Sequence, residues 1–396
     1  MVSHVEMPKI ACCVGELSGD LLAAEALQAL QDRFSDLTIC GVTGPRLRSI
    51  GCKTLANVES LSVSGITEAL LHVPRLWRLR QRLFREILEW QPDCFLGVDA
   101  PDFNLTLERK LRERGIPTFH YVSPTVWAWR PKRVKQVERA AEALFCLFPF
   151  EPAYYANTMV RALFVGHPLA DQLQPARDVH RARLDLALDP EKTTIALLPG
   201  SRRHELDRMG SLIFEAAYLL SQWNPSLQFI VPVAHLEHRT LLEQMWRKAG
   251  NLLPVHWMDG QAPLAMGASD VALAASGTVT LEGMLTGCPM VVTYRVSALS
   301  VAIAKGVFGL QVSSISFPNL LAAEPLVPEF LQKDAQPVAL ANAVQDLLLH
   351  PERRQAIEVR YRELSEMLRH DANHKVADEL ATAIYASKNR RNPDGR

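Results

Sequence analysis

IACCVGELSGDLLAAEALQALQDRFSDLTICGV, residues 10–42, decides the fold. Its first five residues, Ile10 to Val14, form an apolar run that stops at Gly15, the pattern of a buried strand. Ala23, Ala26, Leu27, Leu30 and Phe34 then recur at the 3.6-residue period of a helix with one buried face. A second strand-like run, Thr38 to Val42, follows, so the stretch is a βαβ unit with parallel strands. The alternation continues through strands expected at Cys94 to Val98, Thr118 to Val122 and Leu144 to Phe148. The polar stretch 171–192 then interrupts it, and strands resume at Thr194 to Leu198, Gln228 to Val233, Asp270 to Ala274 and Pro289 to Tyr294. Residues 337–387 read as helices broken at Pro351, and 388–396 as a disordered tail. The expected fold class is therefore α/β, with two Rossmann-like domains at 1–170 and 171–336. Such halves facing a cleft bind ligands at the carboxyl ends of their strands.

Composition narrows the function. Lysine plus arginine and aspartate plus glutamate number 43 each in 396 residues, so no global field draws the chain to nucleic acid or a membrane. The seven cysteines show neither CxxC nor zinc-ligand spacing and read as small buried hydrophobes in a reducing compartment. Residues 1–9 lack the apolar core of a signal peptide. The apolar stretch 297–312 is interrupted by Lys305 and falls short of the ~20 residues a spanning helix needs. A local patch stands apart from this neutral background. Over 63–85, Arg75, Arg78, Arg80, Arg82 and Arg85 interleave with Val73, Leu76, Trp77, Leu79, Leu83 and Phe84, which suits either an ordinary surface helix or one lying at a membrane interface.

Chemistry-bearing residues gather at the expected strand ends. Gly15-Glu16-Leu17-Ser18-Gly19-Asp20 is not GxGxxG, and its two acids would repel a pyrophosphate. Ser18 or Asp20 would cap the following helix, and the two glycines would let a ligand approach the backbone. In Gly97-Val98-Asp99-Ala100-Pro101-Asp102-Phe103-Asn104, one cap suffices for a helix starting near Leu105, which leaves a carboxylate over. Asp99, where the strand emerges, is the better placed to take a proton from an alcohol. His120 to Arg130 places Trp127 and Trp129 beside Arg130, Lys132 and Arg133, which suits a sugar, a phosphate, an acyl chain or plain loop packing. In the second half, Gly200-Ser201-Arg202 closes one strand and Ser276-Gly277-Thr278 another, and Glu282 follows one turn into the next helix. Free amides at a helix start, the helix dipole and an arginine fork together make a nucleotide diphosphate cradle. No DxD motif offers a carboxylate clamp for a divalent metal, so neither a metal nor a cofactor is expected.

GELSGD at 15–20, GVDAPDFN at 97–104, HYVSPTVWAWR at 120–130, LPGSR at 198–202, ASGTVTLE at 275–282 and PNLLA at 318–322 together resemble lipid A disaccharide synthases. The resemblance spans nearly the whole chain and implies an inverting glycosyltransferase with a B-type fold. It implies transfer of 2,3-diacylglucosamine from UDP-2,3-diacylglucosamine to 2,3-diacylglucosamine 1-phosphate, giving a β-1,6 disaccharide 1-phosphate and UDP. Asp99 would be the general base with Glu16 beside it, and Ser18, Gly19, Ser123 and Trp127 would lie on the acceptor side. Ser201, Arg202, Ser276, Gly277, Thr278, Glu282 and Asn319 would hold the donor nucleotide. With acylated substrates, Arg75, Trp77, Arg78, Arg82 and Phe84 become expected contacts with the cytoplasmic face of the inner membrane. The family also implies a homodimer with exchanged C-terminal segments and C-terminal helices crossing back to the first domain. Leu17 stands where a small residue is usual, and Ala323 where a glycine is common, which bears on local backbone shape. A sugar-nucleotide epimerase of the same fold and a non-catalytic lipid-binding protein are the rival readings.

Overall fold

The computed structural model describes residues 7–61, 66–126, 133–173, 177–250, 254–295 and 314–391. By contacts the chain forms two units, 1–171 with 368–396 and 172–367. The first is built on a seven-stranded sheet in the order β3-β2-β1-β4-β5-β6-β7. Its strands are β1 (Lys9–Val14), β2 (Thr38–Thr43), β3 (Lys53–Asn57), β4 (Cys94–Val98), β5 (Thr118–Tyr121), β6 (Ala143–Cys146) and β7 (Arg161–Phe164), all paired in parallel. The second unit carries a six-stranded parallel sheet in the order β10-β9-β8-β11-β12-β13. Here the strands are β8 (Thr194–Leu198), β9 (Gln228–Val233), β10 (Val255–Asp259), β11 (Val271–Ala275), β12 (Met290–Tyr294) and β13 (Glu329–Leu331). Chain order reverses beside β1 in one sheet and beside β8 in the other, so each has the switch point at which open parallel sheets bind ligands.

Four strands were not among those expected: β3, β7, β10 and β13. All are edge or next-to-edge strands with exposed or half-buried residues, so they lack the apolar run that marks a central strand. The central strands β1, β4, β8 and β11 are buried almost throughout. Leu83 and Ile87 of α3 (Ile66–Trp90) and Leu107 and Leu111 of α4 (Pro101–Arg112) pack with Ala11, Cys13, Val42 and Phe95 over one sheet face. Each such leucine or isoleucine contributes about 1.5–3 kcal/mol on burial. All seven cysteines are buried and unpaired.

The helices of 337–387 do not stay together. Residues 337–349 and most of 351–368 belong to the second unit, whereas α15 (Ala372–Arg391, the last of fifteen α-helices among the described residues) belongs to the first. Val376, Leu380 and Ile384 of α15 are buried, and the helix lies along α1 (Leu17–Gln31). Asn373 donates to Glu25 at 3.2 Å, Asp378 pairs with Arg33, and the Tyr385 and Phe34 rings meet at 5.2 Å. Lys388 to Arg391, expected in the tail, continue this helix; 392–396 lie outside the described residues, as does 297–312. Among the described residues no helix is long and apolar enough to cross a membrane.

Asp20 shows how the first βαβ unit is tied. It does not cap α1, whose N-cap is Glu16 without a side-chain bond. Buried instead, it accepts the N–H groups of Gly44, Arg46 and Leu47 at 2.7, 2.8 and 3.2 Å, and so caps the short helix α2 (Pro45–Ser49). Asp20→Asn would set an NH2 donor against one of these N–H groups. It should lower stability by about 1–3 kcal/mol, read as a lower denaturant midpoint; an unchanged midpoint would contradict this account.

Candidate active site

The carboxyl ends of β1, β4 and β5 are adjacent, and their loops interlock. Gly15 is buried against the loop after β4: a Cβ there would lie 2.1 Å from that of Ala100. The glycine therefore admits a neighbouring loop and not, as the sequence suggested, a ligand. Gly19 is buried too, with Val98 and Val14 at ordinary contact distance from a Cβ placed there, so it packs α1 on the sheet. Glu16, Leu17 and Ser18 remain exposed at the head of α1.

Asp99 and Ala100 both take left-handed conformations, φ +53° and +42°. Each costs roughly 1–2 kcal/mol for a residue with a Cβ, and the backbone is held there from both sides. The Asp99 N–H donates to the Tyr121 carbonyl at 2.9 Å, and the Asn104 Nδ2 donates to the Asp99 carbonyl at 2.8 Å. α4 starts at Pro101 and not near Leu105; Ala100 is its N-cap, and no side chain caps it. Asp102 is exposed and pairs with the buried Arg133. Asp99 is left half-buried, and its carboxylate accepts no hydrogen bond among the described residues. On the next strand Val122, β-branched, has φ +77°. Three strained residues thus sit on adjacent strand ends, a clustering that marks functional sites.

Two other expected site residues belong to this edge. Ser123 is buried and bonds the Tyr155 hydroxyl at 3.0 Å, so it braces the loop after β5. Trp127, with Trp129, Arg130 and Lys132, lies outside the described residues. Glu151, unnoticed in the sequence, is buried beyond the end of β6 and accepts the Phe148 N–H at 3.0 Å; burial pushes its carboxyl up to about 8.

On α3, Leu76, Leu79, Leu83 and Ile87 turn toward the core, while Val73 and Trp77 are each 54% exposed beside exposed Arg75 and Arg78. Arg82 is exposed but donates to the Leu55 carbonyl at 3.0 Å. Phe84 does not join the outer face: it packs against the core, with Lys110 and Arg114 over its ring at 5.7 and 5.6 Å. Seven residues after Trp77, it lies within about 20° of the same helix face, but two turns further on that face is covered by Lys110 and Arg114.

In the second unit the two glycine loops end the adjacent strands β8 and β11. After β11, Gly277 has φ +149° with open space around it, and α11 (Thr278–Leu285) begins there with its first amides toward the loop. The Ser276 Oγ donates to the Ile315 carbonyl at 2.6 Å, so it anchors the loop. Glu282 is half-buried without a partner among the described residues, and burial holds its carboxyl above the usual range. After β8, Arg202 is the N-cap of α8 (Arg203–Trp223) and extends an exposed guanidinium. The Ser201 and Arg202 amides, expected to face a phosphate, donate to Glu205 Oε2 at 3.1 and 3.2 Å. Glu205 stands three residues after Arg202, the capping-box spacing that would have disclosed it. Asn319 is buried and fully engaged, donating to Val327 O and Glu329 and accepting the Val327 N–H. These bonds close the turn into β13. Ala323 takes φ +55°, the conformation a glycine would favour. No group of three or more His, Cys, Asp or Glu suited to a metal occurs among the described residues.

A family model described as lipid-A-disaccharide synthetase matches residues 10–384. A lipid-A-disaccharide synthase from Xanthomonas campestris pv. campestris (strain 8004) is 44% identical over 383 residues, which is 96% of this chain and 87% of that one. One from Xylella fastidiosa (strain M23) is 42% identical over 381 residues, covering 96% and 99%. Among solved structures, UDP-GlcNAc 2-epimerase from Neisseria meningitidis bound to UDP-GlcNAc is similar with TM-score 0.60 at 12% identity, over 96% of this chain and all of that one. The calicheamicin glycosyltransferase has TM-score 0.60 at 12% identity, over 96% and 99%. At such identities the two structures speak for the fold alone, two Rossmann-like domains shared by glycosyltransferases and epimerases. The family match runs from the first strand to the last helix and takes in both sets of strand-end loops, so the chain belongs to the lipid-A-disaccharide synthase family of glycosyltransferases.

Proposed function

We propose that the protein transfers 2,3-diacylglucosamine from UDP-2,3-diacylglucosamine to the 6-hydroxyl of 2,3-diacylglucosamine 1-phosphate, with inversion, releasing UDP. The observation that carries this reading is the half-buried Asp99 carboxylate, unpartnered among the described residues and mounted on a strained turn at the sheet's binding edge. As the acceptor oxygen bonds to the anomeric carbon, its proton passes to Asp99, and the bond from that carbon to the diphosphate breaks. Exposed Glu16 and Ser18 flank the acceptor. The departing UDP gains negative charge, which Arg202 and the amides at the start of α11 offset. Glu282, one turn along, takes the ribose hydroxyls. Glu205 accepts the Ser201 and Arg202 amides and pairs with the Arg202 guanidinium at 3.6 Å, so phosphate takes all three donors as Glu205 gives way. Domain roles follow: 1–170 binds the acceptor and 171–336 the nucleotide sugar.

Donor radiolabelled in its sugar tests the reaction. Label should appear in a β-linked disaccharide, with or without EDTA, because this donor set relies on cationic and amide groups. Label in an isomeric monosaccharide would support the epimerase reading, and none converted would support a lipid-binding protein. Asp99→Asn should cut turnover by ~100-fold or more while UDP affinity, measured by calorimetry, stays within about threefold. Equal losses in both would make Asp99 structural.

The outer face of α3 is proposed to rest on the cytoplasmic face of the inner membrane. Arginines near an anionic surface contribute about 1 kcal/mol each, and Trp77 with Val73 supplies the apolar insertion. Replacing Arg75, Trp77 and Arg78 together spares Arg82, which is tied to Leu55. Binding to anionic vesicles should weaken and lose salt sensitivity, and turnover should fall more for substrate in vesicles than in detergent. Parent-like vesicle binding would reduce the patch to a solvated face.

A further inference from the structure

Beneath the Asp99 turn lies a column of buried polar side chains that an α/β core does not need. His120 of β5 and Glu108 of α4 have no exposed surface, and His120 Nδ1 is 2.6 Å from Glu108 Oε1. Gly97, cross-strand partner of His120, makes the room: a Cβ there would lie 1.9 Å from Glu108 Oε1. Four residues before Glu108, on the same helix face, is the equally buried Asn104. Its Nδ2 faces three carbonyls, those of Cys13 at 3.0 Å, Val98 at 3.2 Å and Asp99 at 2.8 Å. Since carbonyls only accept, their convergence requires the amide nitrogen on that side. One side chain therefore joins the end of β1 to the end of β4 and grips the peptide that follows Asp99.

Such a column is costly. A buried acid–imidazole pair is commonly no more stable than apolar residues of the same volume, and Glu108 Oε2, His120 Nε2 and Asn104 Oδ1 take no partner among the described residues. Polar groups kept at that cost, directly under two consecutive left-handed residues, point to the turn they hold. We propose that Asn104 is a positioning residue for Asp99, fixing the left-handed Asp99–Ala100 turn and hence the direction of the carboxylate. Glu108 and His120 lock α4 against β4 and β5 so that the Asn104 amide stays in register with the three carbonyls. Without that amide the Asp99 carbonyl loses its donor, the turn relaxes toward right-handed geometry, and the carboxylate swings from the acceptor hydroxyl. The proposal rests on Asp99 being the general base.

A double-mutant cycle tests it, with kcat, acceptor KM and UDP affinity measured for the parent, Asn104→Ala, Asp99→Asn and the double variant. Asn104→Ala should lower kcat by about 10- to 100-fold while acceptor KM and UDP affinity change by less than about threefold. In the Asp99→Asn background the same substitution should lower kcat by less than about twofold, because there is no base left to position. An equal fall in both backgrounds, or an unchanged kcat in folded Asn104→Ala, overturns the proposal. If Asp99→Asn alone leaves turnover intact, it is the base assignment that fails, and the two failures are distinguishable. Should Asn104→Ala not fold, Glu108→Leu and Glu108→Gln carry the test. Leu should depress kcat at unchanged UDP affinity and Gln, which still bonds His120, should restore it to within about threefold of the parent; equal kcat for both overturns the proposal.

Discussion

The Asp99 peptide is gripped at both ends, by the Tyr121 carbonyl on its N–H and the Asn104 amide on its C=O, and the architecture of the first unit serves that grip. β5 supplies one partner, α4 the other, and β1 shares the same amide through Cys13. Gly15 lets the first loop close over Ala100, and Asp20 secures that loop's helix to its neighbour. A carboxylate on a flexible loop would sample many directions. One mounted on two locked residues in disfavoured conformations has its direction set by the sheet, and the enthalpy of the surrounding core holds it there.

The second unit solves a different problem on the same kind of scaffold. Its two adjacent strand ends carry glycine loops that open helices, with partial positive charge where the helices start. Arg202 supplies a full charge, exposed and paired with Glu205 at 3.6 Å, and Glu282 a half-buried acceptor. Glu205 lies across the Ser201 and Arg202 amides and keeps them satisfied without a ligand. One sheet edge thus presents a rigid carboxylate and the other a cationic, donor-rich pair of loops; in the proposed function these are the proton acceptor and the diphosphate cradle.

Much of this was legible in the sequence because central parallel strands announce themselves as uninterrupted apolar runs. β1, β4, β8 and β11, whose loops bear Glu16, Asp99, Arg202 and Thr278, were all found that way. What escaped was governed by contacts distant in sequence. β3 and β13 have no apolar run to detect, and the Asn104 bond to Cys13 spans 91 residues. The bonds by which Asn319 closes a turn and Ser123 braces a loop join partners 8 and 32 residues apart, and a single letter near a motif does not disclose them. Phe84 belonged to the arginine-rich pattern by composition, yet Lys110 and Arg114, far along the chain, cover it. Ala323 shows the reverse case: a missing glycine flagged a left-handed position that the backbone nonetheless adopts.

The central claim is that Asp99 receives the acceptor proton, and a structure with UDP and an acceptor analogue bound tests it most directly. The account predicts an Asp99 carboxylate oxygen within roughly 2.6–3.2 Å of the acceptor 6-hydroxyl, with the left-handed turn retained. A 6-hydroxyl held by Glu16 or Glu151, with Asp99 bonded to a structural donor, would contradict it.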